Sequence, residues 1–132
     1  MNGRNAKLRL ENLERAIERL EEALAAPADT PFIVDATIQR FEFAFELCWK
    51  AMKGFLELET SSADLGTARA VLKTAYAAGW IDDEVGWIDL LAMRNATSHV
   101  YNEAMARDIY RRIGTNMPMM RKALAVLKVK SG

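Results

Sequence analysis

The 132 residues are 51% hydrophobic and 27% charged, a globular balance that excludes the low-hydrophobicity, high-charge signature of a disordered chain. Eighteen Lys and Arg offset eighteen Asp and Glu, which argues against strong nonspecific binding to duplex nucleic acid, since that binding is driven by neutralising phosphates. The lone cysteine, Cys48, lies in an apolar run, which excludes an intrachain disulfide framework or a cysteine metal site and makes a reduced, cytoplasmic setting the expectation.

At the N-terminus, Arg4, Lys7, Arg9 and Glu11 stand where a signal peptide would need an apolar core. No uncharged apolar run approaches the roughly 18 residues needed to span a bilayer. Neither export nor membrane insertion is expected, and the length suits one helical domain over residues 1–132.

In chain order, Leu10, Leu13, Ile17, Leu20 and Leu24 recur at three-and-four spacing and predict a first amphipathic helix, ended by Pro27. Asp29 or Thr30 is positioned to cap a second helix, with Pro31 in its first turn. That second helix carries the strongest periodicity, through Val34, Ile38, Phe41, Phe45, Cys48, Met52 and Phe55. Phe43, Leu47, Trp49 and Leu56 widen its stripe and predict burial on more than one side. Residues 60–66 read as a loop. A short helix follows over about 67–78, with Gly79 suited to its left-handed C-terminal position.

Asp82 is then placed to cap "DEVGWIDLLAM", in which Gly86 is a mild weakness. Asn102 is placed to cap a last helix whose phase runs through Ile109, Ile113, Met120, Leu124 and Leu127, with Pro118 set to bend or break it. No useful stretch alternates as a half-buried strand does. The expected fold is therefore all-α, an up-and-down bundle of four main helices with a shorter one inserted. Within the last 31 residues Arg107, Arg111, Arg112, Arg121, Lys122, Lys128 and Lys130 face only Glu103 and Asp108, either as an anion-facing stripe or as an ordinary solvated helix face.

The chemistry concentrates in "RNATSHVY", residues 94–101, which holds the sole histidine. On a straight helix Arg94, Ser98 and Tyr101 share one face while Asn95, His99 and Asn102 share the next, so Arg94 and His99 diverge by more than a right angle. A joint site needs the helix to bend or restart, and Thr97, Ser98 and Asn102 are residues that favour an interruption. A histidine can be a residue with no duty. Here, however, it lies among hydrogen-bonding groups near a permanent cation, and an imidazole is the side chain best suited to accept and donate protons at neutral pH. Arginine can hold a phosphate through two parallel hydrogen bonds. Together they suit cleavage of RNA, whose 2′-hydroxyl is its own nucleophile, without metal or cofactor. One Arg and one His are a thin site, which a symmetric dimer would complete by bringing two motifs together. Glu46, Lys50 and Lys53 share a face of the second helix and are candidates to line the same cleft, or else form a plain exposed ion pair.

The pattern Arg94, four residues, His99, one residue, Tyr101 resembles the R-x4-H-x-Y signature of HEPN-domain proteins, specifically the small toxins of HEPN/MNT toxin-antitoxin modules and the nucleotidyltransferase substrate-binding proteins. "FEFAFELCWKAMKGFLE" (41–57), "AYAAGWIDDEVGWIDLLAMRN" (75–95) and "HVYN" (99–102) extend the likeness over roughly residues 5–128. "GTARAVL" (66–72) departs from it, where the family leads one to expect a proline-containing helix start. The resemblance implies a four-helix bundle that forms homodimers with the motifs facing each other. It implies a metal-independent endoribonuclease in which Arg94 and His99 act, Asn95 and Ser98 are supporting polar groups, and RNA is the substrate. It also implies a separate minimal nucleotidyltransferase as antitoxin, which in some systems attaches AMP to the tyrosine matching Tyr101. The chain lacks a Gly-Ser followed by paired aspartates, so it is not that nucleotidyltransferase. Two other readings stay open: a noncatalytic subunit that holds a nucleotide for a nucleotidyltransferase, and an interaction module whose polar motif stabilises a dimer.

Overall fold

The computed structural model describes residues 3–60 and 64–132. Among them the ordered elements are helices: α1 (Gly3–Ala25), α2 (Ile33–Glu59), α3 (Ala68–Ala77), α4 (Glu84–Ala96), a 3₁₀ turn (Thr97–His99), α5 (Glu103–Asn116) and α6 (Pro118–Ser131). α1 lies along α2 and against α6, α5 packs on α2, and the short α3 bridges α2 and α4. The expected all-α bundle is present, with α5 and α6 together forming its last long helix. The loop expected at 60–66 falls partly outside the described residues. No helix among the described residues is long and apolar enough to cross a membrane.

The core follows the periodicity. Leu13, Ile17 and Leu20 of α1, Phe41, Phe45 and Met52 of α2, Trp87 and Leu90 of α4, and Ile113, Met120 and Leu124 of the last two helices are fully buried or nearly so. Each such side chain contributes on the order of 1.5–3 kcal/mol relative to exposure. One aromatic chain matters most for the site. Phe41 meets Phe45 at 5.9 Å and Phe45 meets Trp87 at 6.3 Å between ring centroids, which locks α4 onto the middle of α2. Trp87, Leu90 and Met93 face inward at helical spacing. Arg94, the next residue, therefore emerges at the edge of α2.

Several boundaries differ from the sequence reading. α2 starts at Ile33, after Phe32 in the left-handed region (φ 65°) with no side-chain cap, instead of after Asp29 or Thr30. The reason is a pair of tight turns, Thr30 N–H to Pro27 C=O at 3.0 Å and Ile33 N–H to Thr30 C=O at 3.1 Å, which use up the residues expected to begin the helix. Asp83, and not Asp82, caps α4, its carboxylate accepting from Gly86 N–H at 2.9 Å. Gly86 has a positive role there: a Cβ would sit 2.5 Å from the Asp83 carboxylate and 2.8 Å from Met119 Sδ. Of the residues expected to widen the stripe, Leu56 is buried and Leu47 and Trp49 pack partly against the core, but Phe43 is 61% exposed. Gly79 and Asn102 take the positions read from sequence, while Thr67, expected inside the short helix, stands just before it as its N-cap.

The basic C-terminal stretch does not form a free cationic stripe. Arg121 pairs with Glu21 at 2.5 Å and Lys128 with Glu14 at 2.8 Å, while Arg112 reaches Asp89 at 2.6 Å and Lys130 reaches Glu59 at 3.2 Å. These cations tie the last helices to α1, α2 and α4.

Candidate functional site

The motif lies where the helical backbone gives out. Thr97 Oγ1 sits 2.7 Å from the Arg94 carbonyl oxygen and also within reach of the Glu42 carboxylate, and Ser98 Oγ donates to the Asn95 carbonyl at 3.2 Å. Side-chain hydroxyls here take up the backbone acceptors that a continuing α-helix would use. The chain tightens into the 3₁₀ turn at Thr97–His99, then extends at Val100 (φ −90°, ψ 111°) and at Asn102 (φ −155°, ψ 169°). Asn102 Oδ1 accepts from Met105 N–H at 2.9 Å and restarts the chain as α5. The straight-helix separation of Arg94 from His99 therefore does not apply.

Arg94 is held through one edge. Its Nε lies 2.8 Å from Glu46 Oε2, with the two side chains 39% and 29% exposed. A pair this exposed is worth at most about 1 kcal/mol, and a phosphate can engage the same guanidinium through two parallel hydrogen bonds. Glu46 can orient the guanidinium without competing successfully against a well-placed phosphate on its terminal nitrogens. His99 is exposed, and its Nδ1 lies 3.5 Å from the Tyr101 hydroxyl. That contact is long for a hydrogen bond and involves Nδ1, so Nε2 is the nitrogen that faces away from the tyrosine. Tyr101 itself is 79% exposed.

The remaining sequence candidates separate into two groups. Asn95 and Ser98 are exposed beside the turn, Ser98 with its hydroxyl engaged by the backbone. Glu46 belongs to the Arg94 cluster. Lys50 is a distant second partner of Glu46, at 3.9 Å, and lies over the Trp49 ring. With Lys53 it lines a different groove, of about 640 Å³, between α1 and α2, together with Leu8, Arg9, Leu47 and Trp49. Sequence reasoning passed over Glu42, whose only signal is its position one turn before Glu46. Its partner Thr97 is 55 residues away. Among the described residues no group of three or more His, Cys, Asp or Glu is arranged to hold a metal ion.

Known proteins match both the sequence and the overall fold. The chain is 34% identical over 121 residues to a protein of Haemophilus influenzae named "Probable ribonuclease HepT", with 81% of this chain and 83% of that one covered. A crystal structure of a Thermus thermophilus protein superposes with a TM-score of 0.80 at 31% identity, over 88% of this chain and 98% of its own. The Haemophilus influenzae protein HI0074, described as revealing the fold of a substrate binding domain of a nucleotidyltransferase, superposes with a TM-score of 0.69 at 25% identity, over 96% and 99% of the two chains. Residues 8–129 match the family described as nucleotidyltransferase substrate binding protein like, and with the bundle and the motif in place the chain belongs to that family.

Proposed function

We propose that the chain is the ribonuclease toxin of a HEPN/MNT toxin-antitoxin pair, acting on RNA in the cytoplasm as a symmetric dimer. The observation that carries this reading is the broken helix at residues 97–102, which leaves the His99 imidazole exposed within five residues of a guanidinium already oriented by Glu46. The likeness to a protein named as a probable ribonuclease supports it. In the proposed reaction His99 takes the proton of the RNA 2′-hydroxyl, and the freed oxygen attacks the neighbouring phosphorus. Arg94 holds the phosphate oxygens as negative charge builds there. The bond to the 5′-oxygen breaks, and that oxygen receives a proton from the His99 of a second copy across the dimer axis. The products are a 2′,3′-cyclic phosphate and a 5′-hydroxyl. A nucleophile built into the substrate makes the reaction independent of metal.

The antitoxin in this reading is a nucleotidyltransferase that moves AMP from ATP to the Tyr101 hydroxyl, releasing pyrophosphate. The phenol is exposed and lies 3.5 Å from His99, so the adduct would place bulk and negative charge where the RNA phosphate docks. A second reading is favoured by the family description itself: a noncatalytic subunit in which the same Arg94 and His99 hold a nucleotide for a nucleotidyltransferase.

RNA degradation in the presence of a chelator separates the two. The toxin reading expects wild-type protein to cut RNA and both Arg94→Ala and His99→Ala proteins to leave it intact while folding normally. A wild-type protein that cuts nothing, or activity that survives either substitution, overturns it. Intact-mass measurement after coexpression with the nucleotidyltransferase should show AMP additions that vanish in Tyr101→Phe.

A further inference from the structure

Where the motif ends, an open pocket of about 560 Å³ begins. One wall is Val100, Tyr101 and Asn102, and the other is the loop that joins α1 to α2, including Phe32. Phe32 and Tyr101 both line it while remaining 83% and 79% exposed.

Phe32 is the anomaly. It is the sole non-glycine with positive φ among the described residues, at 65°, a conformation that a Cβ makes unfavourable and that glycine adopts freely. It caps nothing with its side chain, and its ring adds little to the core. Neither the backbone nor the packing accounts for a phenylalanine at this position. A strained residue with no structural return is the kind found at functional sites. An exposed aromatic face beside a nucleic-acid site has one recurrent use, the stacking of an unpaired base.

Charge decides which part of a nucleotide enters. Asp29, Asp35 and Glu103 line the pocket against a lone cation, Arg107, and Arg107 is already paired with Glu103 at 3.2 Å. A phosphate would meet net negative charge. An uncharged ring would find aromatic surface, and its amino hydrogens would find carboxylate acceptors, the pairing by which Asp and Glu read cytosine N4. Tyr101 connects the two places, touching His99 and lining the pocket.

We propose that this pocket is the subsite for the base adjoining the scissile phosphate, with Phe32 as its stacking platform, and that it favours adenine, cytosine or guanine over uracil. The proposal rests on the ribonuclease reading above and adds the part of the substrate that confers preference.

The test uses His99→Ala protein, which leaves RNA uncut, and fluorescence anisotropy with labelled eight-nucleotide oligo(C), oligo(A) and oligo(U). The expected result is tighter binding of oligo(C) and oligo(A) than of oligo(U). Adding Phe32→Ala should weaken the first two about tenfold, in line with the loss of a single stacked base, and Phe32→Trp should restore them. Phe32→Gly should weaken binding equally while melting at the same or a higher temperature, since glycine suits the backbone there. Equal affinity for all three oligonucleotides, or binding indifferent to Phe32, overturns the proposal, as does a Phe32→Gly protein that melts well below wild type. Loss of nucleotidyltransferase binding with RNA binding intact would assign the pocket to the protein partner and overturn it too. Failure of wild-type protein to cleave RNA removes the catalytic reading alone, because the binding arms are read without cleavage.

Discussion

From α4 onward the chain interrupts its helices twice, and the two interruptions have opposite consequences. At Pro118 α5 gives way to α6 without opening the core: Met117 keeps helical dihedrals (φ −57°, ψ −34°), its N–H still reaches the Ile113 carbonyl at 2.8 Å, and Ile113 and Met120 are fully buried on either side. At residues 97–102 the chain unwinds into extended backbone, and His99, Tyr101 and Asn102 turn outward. A proline removes one donor and leaves the apolar stripe in phase, so the core continues through the junction. A run of Thr, Ser and Asn instead redirects backbone hydrogen bonds to side chains, breaks the phase and presents polar groups to solvent. The first interruption serves packing and the second exposes chemistry.

Substitutions on each side of this contrast should behave differently. Ile113→Ala, beside the proline junction, should destabilise the fold by about 2–5 kcal/mol, as buried aliphatic truncations do, measured by urea unfolding. It should act on RNA cleavage only through loss of folded protein. Glu46→Ala lies on the other side. It should leave stability almost unchanged and slow cleavage roughly ten- to a hundredfold, the scale expected when a catalytic group loses its orientation. An Ile113→Ala protein as stable as wild type, or a Glu46→Ala protein of normal activity, would erase the distinction. Asn102→Ala touches both properties: loss of the α5 cap should cost about 1 kcal/mol and loosen the motif. The effect should appear in thermal melts and as faster amide exchange across residues 99–105.

The smallest effect belongs to neither interruption. A hydrogen bond from Lys128, helped by the charges of Lys128 and Arg121, holds the Glu14 carboxyl below the usual carboxylate range, against a burial effect that pushes it up. A depressed folded-state value contributes stability above the ordinary range and loses it as the pH falls through the folded value. Lys128→Ala should therefore melt slightly below wild type at pH 7, with the gap closing toward pH 3. The shift should be small because such pairs are partly exposed.

The fold was legible because helical periodicity is local. The stripe from Val34 to Phe55 and the positions of Gly79 and Asn102 depend on residues a few positions apart, and each appears where expected. The start of α2 was not, because two successive turns after Pro27 displace the helix to Phe32, a residue with no capping preference. Exposure of Phe43 was hidden for a related reason: an apolar residue on a helix flank does not reveal whether another helix covers it. At the site, Arg94, His99 and the need for an interruption between them could be read from eight residues. Glu46 could be named as a cleft candidate, but its pairing with Arg94 and the contact of Glu42 with Thr97 could not be read, since they depend on the Phe45–Trp87 contact that sets α4 against α2. Burial pushes the Cys48 thiol up to about 12, in keeping with its place in the periodic core.

The central claim is that Arg94 and His99 cleave RNA by turning its own 2′-hydroxyl against the adjacent phosphate. The most direct measurement is the chemistry of the cut ends, read by mass spectrometry of a defined oligonucleotide digested in the presence of a chelator. Fragments ending in a 2′,3′-cyclic phosphate, followed by fragments beginning with a 5′-hydroxyl, are the expected result. Fragments carrying a 3′-hydroxyl and a 5′-phosphate would contradict the account, because that outcome requires water as the nucleophile.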